Sequence, residues 1–574
     1  MIVLSGIPVY RGIEAAPAHL HQQALLRYKK AKIEPELINN ELDRFEGIQR
    51  TVLQELVQYR DKAEASGQPE ELDIFNAHLI MAEDPALIDG IKARIRDGLL
   101  CAEQAIEETK KEIVEMFLSI EDEYLSSRAA DVEDVTNRFM EIALGIAPRD
   151  FSNIKEPVIL VAKDLKPSEL SQLGGFIKGI LLEHGSQTSH TAIMAKAKGI
   201  PTVVGVTGIY DMVQSGDLII LDSISNKILI KPAKEELRLY QTRKEILEQK
   251  RERDSLLKDE EAITKDGRRI KLYGNIGSSP EAALVKYHGG RGIGLFRTEF
   301  LFMNSAHFPT EEEQFKEYKN TVEQGFEEVV IRTLDIGGDK NLPYYQFRKE
   351  ENPFLGLRAI RFSLARPGIF KTQLRAILRA SAFGKVSLLL PMISSLEEVL
   401  KAKELLEECK NELRRDGISF DSDIRTGIMI EIPAAVIISD HLIEEVDFFS
   451  IGTNDLCQYS LAVDRVNKEV TYLYQPLHPG MLRLIRQSID ASHKNGKESV
   501  ICGEMAGDPM NVLVLVGLGV DGLSMSPAVI PEIKALIRQL SYEETKQLAD
   551  RIMVCKNTGE IKAALELEIQ KLNA

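Results

Sequence analysis

The stretch VSLLLPMISSLEEVLKAKELLEECKNELRRDGISFDSDIRTGIMIEIP, residues 386–433, decides the fold of the C-terminal half. It opens on a short apolar run, VSLLLPMI (386–393), passes into the helical pattern LEEVLKAKELLEECKNELRRD (396–416), and returns to a second apolar run, GIMIEIP (427–433). Two short buried strands separated by a helix form a parallel pair with a helical crossover. Outward from this unit the alternation repeats. KLYGNI (271–276), GIGLFR (292–297) and VVIRTLDI (329–336) precede it, and FFSIGTND (448–455), SVICGEM (499–505) and GLSMS (522–526) follow, with helical segments such as RAILRASAFG between most of them. Eight strands alternating with helices over about 300 residues predict a (β/α)8 barrel.

Barrel sites form where the C-terminal ends of the strands deliver side chains to a common mouth. Here the ends deliver Asn275, Arg297, Arg332 with Asp335, Met392, Glu431, Asn454 with Asp455, Cys502 with Glu504, and Ser524. A single charge at a strand end needs no more explanation than contact with solvent, but arginines, carboxylates and a thiol together form a usable chemical kit. Arg297 and Arg332, joined by Lys340, Arg358 and Arg465 from nearby loops, can grip phosphate and carboxylate oxygens in bidentate fashion. Glu431 and Asp455, on adjacent strands, can share one Mg²⁺ completed by substrate oxygens and water. The set describes a site for a small phosphorylated acid held through a metal. Cys502 supports two readings, a thiol that exchanges a proton with a carbon next to a carbonyl and a small core residue; position leaves both open.

Before the barrel, residues 234–262 hold many charges and almost no turn formers, as expected for a solvated linking helix. Before that, PVILVAKDL (157–165), FIKGILLEHG (176–185), TVVGVTG (202–208) and DLIILD (217–222) alternate with helical or turn segments and read as an α/β unit. From about Ala18 to Leu144 the pattern is helical: Leu37, Leu42, Phe45, Ile48, Val52 and Leu56 recur at three- and four-residue steps. Since strand-like residues open the chain, the helical module is read as inserted into the α/β unit. The expected division is an α/β domain of 1–20 and 145–233, a helical subdomain of 21–144, a linker helix of 234–262 and a barrel of 263–574.

The α/β unit contains EHGSQTSHTAIMAKAKGIPTVVG (183–205). Gly185 permits a tight turn, Thr188 or Ser189 can cap a helix, and His190 falls in its first turn, where backbone N–H groups and the helix dipole favour a phosphoryl group. His184 and His190 lack companions at zinc-ligand spacing. A formal charge of −16 disfavours nucleic acid and anionic membranes as partners, since both are bound by neutralising phosphates with Lys and Arg. Without a leader pattern or an apolar run of about 20 residues, a cytoplasmic protein with no membrane insertion is expected. Five scattered cysteines and no C-x-x-C pair fit a reducing compartment.

Along nearly its whole length the chain resembles Enzyme I of the bacterial sugar phosphotransferase system, the phosphoenolpyruvate–protein phosphotransferase family. The stretches that carry the resemblance are TSHTAIMAK, GLFRTEFLFM, PTEEEQF, RTLDIGGDK, ENPFLGLRAIR, EIPAA, DFFSIGTNDLCQY, AVDR and CGEMAGD. The resemblance implies that His190 accepts the phosphoryl group of phosphoenolpyruvate on Nε2 and passes it to a histidine of the carrier protein HPr, releasing pyruvate. It implies that Arg297, Arg332, Lys340, Arg358 and Arg465 hold phosphoenolpyruvate, that Asn454 binds its carboxylate, that Glu431 and Asp455 ligate Mg²⁺, and that Cys502 protonates the enolate of pyruvate. It further implies a homodimer formed through the barrel, and docking of HPr on the helical insert, with Phe75, Met81, Glu83, Asp84 and Arg128 as candidate contacts. Since in-line transfer needs contact at about 3 Å and one histidine cannot be that close to both partners in a single pose, the phosphohistidine domain is expected to swivel. Thr188 and Lys166 are the candidate supports of the phosphohistidine. The chain departs from the family near the histidine: Ser186 stands for a glycine, Gln187 where an arginine is common, and Lys166, in KDLKPSE, for a threonine. A lysine there can pair with a phosphate more strongly than a hydroxyl. No sensory domain precedes residue 1, which points away from a nitrogen-regulatory relative.

Two rivals remain. A pyruvate–phosphate dikinase or phosphoenolpyruvate synthase shares the histidine and barrel modules but needs a nucleotide domain, and no G-x-x-x-x-G-K-S/T loop is present. A phosphoenolpyruvate-responsive scaffold would bind ligand and partner without turnover.

Overall fold

The computed structural model describes residues 2–21, 28, 30–65, 69–118, 123–146, 151, 154–170, 172–185, 190–303, 305, 307–337, 342, 344–345, 347–348, 350–465, 467 and 469–573. Of residues 64–65, 69–71, 73, 118, 123–128, 130, 167–168, 190, 193, 196–197, 251 and 573 it describes the backbone. The chain divides into two compact units, Met1–Gln249 and Lys250–Ala574.

The first unit opens with β1 (Ile2–Leu4), β2 (Ile7–Tyr10) and β3 (Ile13–Leu20). Five helices follow: α1 (Ile38–Ala65), α2 (Pro69–Ala82), α3 (Pro85–Arg96), α4 (Ala102–Leu118) and α5 (Glu123–Ala143). The chain then forms β4 (Val158–Ala162), α6 (Pro167–Leu170), β5 (Ile177–Leu182), α7 (His190–Ala197), β6 (Thr202–Val204), α8 (Ile209–Met212), β7 (Leu218–Asp222), β8 (Lys227–Ile230) and α9 (Lys234–Leu256). The eight strands make one mixed sheet in the order β1-β8-β7-β3-β4-β5-β6-β2. β3 runs parallel to β4 with Ala18 opposite Ile159, so the helical insert is the crossover that joins two neighbouring parallel strands.

The insert has its own core. Phe45, Ile48, Val52 and Leu56 of α1 meet Phe75 of α2, Ile91 and Ile95 of α3, Ala105 and Ile106 of α4 and Phe139 of α5. The helical stripe read from the sequence enters this core from Leu42 onward; Leu37, at its start, lies in a separate helical turn and is 48% exposed. Asp84 caps α3, accepting a hydrogen bond from the amide of Ala86 at 2.7 Å, and Pro85 supplies the fixed φ of the first turn. The boundary between the two compact units falls inside α9, which is rich in charged residues.

In the second unit β9 (Lys271–Ile276), β10 (Gly292–Arg297), β11 (Val329–Arg332), β12 (Val386–Leu390), β13 (Arg425–Ile430), β14 (Phe448–Ile451), β15 (Glu498–Ile501) and β16 (Gly522–Met525) close into an all-parallel barrel, β16 pairing back onto β9. Apolar residues of the strands and of the surrounding helices form the main core, and Leu295, Val330, Leu389, Met429, Phe448 and Cys502 form a smaller separate cluster. Several strands stop short of the apolar runs that announced them: β11 ends at Arg332, β12 at Leu390 and β14 at Ile451. The functional residue types therefore stand on the last residue of a strand or in the turn just beyond it.

The N-terminal ends of these strands carry a closed charge network. Glu328, buried just before β11, accepts hydrogen bonds from Ser387 Oγ at 2.6 Å, Arg425 at 2.8 Å and the Tyr273 hydroxyl at 3.3 Å. Glu498 pairs with Lys271 at 2.6 Å and with Arg425 at 3.6 Å. Among the described residues no helix is long and apolar enough to cross a membrane.

Candidate active site

The opposite end of the barrel gathers charge around Asp335. Arg332, the last residue of β11, lies beside Arg297, the last of β10, in register. One terminal nitrogen of Arg332 donates to Glu299 at 2.7 Å and lies 3.1 Å from Asp335; Arg358 donates to the other oxygen of Asp335 at 3.0 Å. Arg358 also donates to the Tyr459 hydroxyl at 3.1 Å, which donates in turn to the Phe354 carbonyl, and lies 3.5 Å from Asp455. Against burial, which disfavours their charge, the neighbouring carboxylates hold both guanidinium groups above their ordinary pKa, so both stay cationic.

The arginines are not saturated by these contacts. The buried Nε atoms of Arg297, Arg332 and Arg358 have no hydrogen-bond partner among the described residues. Buried donors normally find acceptors, and three orphans at one barrel mouth call for an anionic ligand with several oxygens.

Glu431 follows β13 and is 1% exposed. Burial first, then Asp455 and Asp335, push its carboxyl up to about 8, with Arg332 and Arg358 opposing. Its Oε1 accepts the amide of Met392 at 2.5 Å, and Met392 reaches that position in a left-handed conformation, φ 56°, unusual for a side chain of its size. Asp455 sits in the first turn of the helix Thr453–Leu461. Among the described residues no three His, Cys, Asp or Glu side chains converge as a metal cage. Two hard carboxylate oxygens, one buried and short of positive charge, nevertheless fit a divalent cation that takes its remaining ligands from substrate and water.

Cys502 directly follows β15, is 5% exposed and donates to the Ile451 carbonyl at 3.5 Å. Burial pushes its thiol up to about 11, so it carries its proton at neutral pH. The carbonyl of Cys502 accepts from Asn275 Nδ2 at 3.0 Å, and Ser524 Oγ donates to Asn275 Oδ1 at 2.6 Å, so the first and last strands of the barrel fix the thiol's backbone. Asn454 and Glu504 bind each other reciprocally: the Glu504 amide donates to Asn454 Oδ1 at 2.9 Å, and Asn454 Nδ2 donates to Glu504 Oε1 at 3.2 Å. Between them Gly503 is required, since a Cβ there would stand 1.9 Å from Thr453 Oγ1.

Three matches to protein-family models tile the chain: "PEP-utilising enzyme, N-terminal" over residues 5–128, "PEP-utilising enzyme, mobile domain" over 154–226 and "PEP-utilising enzyme, PEP-binding domain" over 251–542. The phosphoenolpyruvate-protein phosphotransferase of Staphylococcus epidermidis is 42% identical over 97% of this chain and 98% of its own length. That of Listeria monocytogenes is 41% identical over 98% of both chains, and that of Enterococcus faecalis 42% identical over 98% of this chain and 99% of its own. This chain belongs to the phosphoenolpyruvate–protein phosphotransferase family.

Of the site residues that resemblance to this family marked, the barrel brings together Arg297, Arg332, Arg358, Glu431, Asp455 and Cys502. Arg465 is exposed, with its amide 3.4 Å from Gln458 Oε1, and Lys340 lies outside the described residues. Reading the sequence missed Glu299, Tyr459 and the Met392 amide, which position the arginines and Glu431. The motif GLFRTEFLFM contains Glu299, and DFFSIGTNDLCQY contains Tyr459, so the family signature could have flagged both.

In the first unit His190 opens α7. Its side chain, and Ser186, Gln187 and Thr188, lie outside what is described. Thr191, the next residue, donates from Oγ1 to the Leu165 carbonyl at 2.9 Å and so ties α7 to the KDLKPSE segment. Lys166 in that segment reaches the helical insert, with Nζ 3.3 Å from Glu141 and 3.8 Å from Asp134.

The candidate docking residues separate. Glu83 and Asp84 are exposed and Met81 is partly buried, next to Ile80 at 71% exposure. Phe75, expected as a contact, is a core residue with no exposed surface, packed 5.4 Å from the Tyr59 ring and 6.3 Å from that of His78. An aromatic on the inner face of α2 stabilises the insert and offers nothing to a partner. The Arg128 side chain lies outside the described residues.

Proposed function

We propose that this chain transfers the phosphoryl group of phosphoenolpyruvate to His190 and then to a histidine of HPr, the first step of the sugar phosphotransferase system. The observation that carries this reading is the set of three orphaned arginine Nε donors beside a buried, protonated thiol. Arg297, Arg332 and Arg358, with Lys340 and Arg465, hold the phosphate and carboxylate of phosphoenolpyruvate, and Asn454 holds its carboxylate. Glu431 and Asp455 hold Mg²⁺, which when bound neutralises phosphate charge and lowers the barrier to transfer.

His190 Nε2 attacks phosphorus in line, the bond from phosphorus to the enol oxygen breaks, and its electron pair stays on the enolate. Cys502 gives its proton to the methylene carbon, yielding pyruvate, and the thiolate regains a proton from solvent. Transfer needs contact at about 3 Å, so the α/β domain swivels between the barrel mouth and a carrier docked on the helical insert, near Met81, Glu83 and Asp84. The protein works in the cytoplasm as a dimer formed through the barrel.

Incubation with labelled phosphoenolpyruvate, Mg²⁺ and HPr tests the reading. Acid-labile label on His190 that chases to HPr supports it; a protein that binds phosphoenolpyruvate yet never labels His190 is a scaffold and overturns it.

A further inference from the structure

Lys166 joins two parts of the first unit that the sequence separates. Its backbone amide donates to Glu169 Oε2 at 3.0 Å, and Glu169 Oε1 lies 2.9 Å from His21 Nε2, just beyond β3. The carbonyl before it, on Leu165, accepts from Thr191, the residue after His190. The backbone of Lys166 thus belongs to the platform that carries α7. Its side chain crosses to α5, 3.3 Å from Glu141 Oε1 and 3.8 Å from Asp134 Oδ1.

Both acceptors are fixed. Glu141 Oε2 accepts from Arg138 at 2.8 Å, and Arg138 grips Glu55 of α1 through two bonds of 2.6 and 2.7 Å. Asp134 is buried, with His78 Nδ1 3.8 Å from its second oxygen. A second tie runs alongside, from Gln172 Nε2 to the Tyr59 hydroxyl at 3.0 Å. These groups, with Val52, Leu56 and Val135, line a cavity of about 40 Å³.

We propose that Lys166 is a positioning residue: it latches the platform of the His190 helix to Asp134 and Glu141 of α5, and so fixes the orientation in which the histidine faces a partner held by the helical insert. This rests on the reading that the insert docks the carrier. A partly exposed ion pair adds little to stability, so the latch acts on orientation. Phosphoryl transfer is sensitive to misplacement on the scale of 1 Å. The alternative is that Lys166 pairs directly with the phosphoryl group; the two roles predict opposite effects of removing its acidic partners.

The experiment compares the full-length protein with the double variant Asp134→Asn and Glu141→Gln, with Lys166→Met, and with the triple variant. A latch predicts that the double variant labels His190 from phosphoenolpyruvate within about twofold of the unmodified rate, keeps its KM for HPr, and loses about tenfold in kcat for onward transfer. Lys166→Met should show the same onward loss, and the triple variant no further loss, because all three changes open one contact. Onward transfer that stays unchanged or quickens in the double variant, with a loss confined to Lys166→Met, overturns the latch in favour of a phosphate partner. Backbone hydrogen exchange gives a readout independent of transfer. The double variant should speed exchange in residues 163–170 and 190–197 by about fivefold. Unchanged exchange there overturns the latch even if His190 proves not to be labelled at all, the result that would overturn the functional reading instead.

Discussion

The two ends of the barrel bury charge in opposite ways. At the N-terminal ends Glu328, Glu498, Arg425 and Lys271 close on one another, with Ser387 and Tyr273 adding hydrogen bonds. At the C-terminal ends the same chemistry is left open, with three arginine donors unmet among the described residues, a carboxyl raised by burial and by its acidic neighbours, and a left-handed Met392 holding it. The first arrangement serves the fold and the second waits for a ligand. Burial and ion pairing do not separate the two; the clustering of unsatisfied arginine donors does, three at the mouth against the single Nε of Arg268 at the floor among the described residues.

The largest expected effect lies at the mouth. Arg358→Met should lower labelling of His190 from phosphoenolpyruvate by about 100- to 1000-fold, since it removes a preorganised cation from the phosphate site. Its melting temperature should move less than that of the floor variant described next; equal losses of stability at both ends would erase the contrast. At the floor, Glu328→Ala leaves Arg425, Ser387 and Tyr273 without their shared acceptor and should cost about 3 kcal/mol in denaturant unfolding. Labelling at a permissive temperature should stay within about twofold of the unmodified rate.

A smaller effect concerns Cys502. With its thiol at about 11, alkylation by iodoacetamide at pH 8, followed by mass spectrometry, should run at least about tenfold slower than at the more accessible Cys101 and Cys555. A Cys502 that reacts as fast as these would show an ionised thiol and remove the proposed proton donor. The smallest effect is again at the floor. Asp521, 2.9 Å from His493, raises the imidazole above its ordinary value of 6.5. The stabilisation is complete below the unfolded value and fades as pH climbs through the raised one. His493→Gln should therefore flatten a slight fall in stability above neutrality, measured as melting temperature against pH.

Much of the barrel was legible because parallel strands buried on both faces read as continuous apolar runs. The runs overshoot at β11 and β14 because the turns beyond them are also apolar or small, and only backbone geometry reveals that Thr453 already starts a helix. In the first unit β2 and β8, four residues each, gave no periodic signal. Strand-end chemistry was legible one residue at a time, whereas its supports were not. Glu299 and Tyr459 sit in helices where a polar residue looks like ordinary solvent-facing surface. Phe75 misled for the converse reason: α2 is apolar on most sides, and the sequence does not say which side faces in. The partners of Lys166 lie in another module, beyond the reach of local patterns.

The pairing of β1 with β8 brings Ile2 opposite Ile230. On a ribosome adding about 5–20 residues per second, the first strand waits roughly ten to forty-five seconds for its partner. The helical insert, which has a core of its own, can condense during that interval. The sheet is thus completed only after the module that interrupts it has left the ribosome.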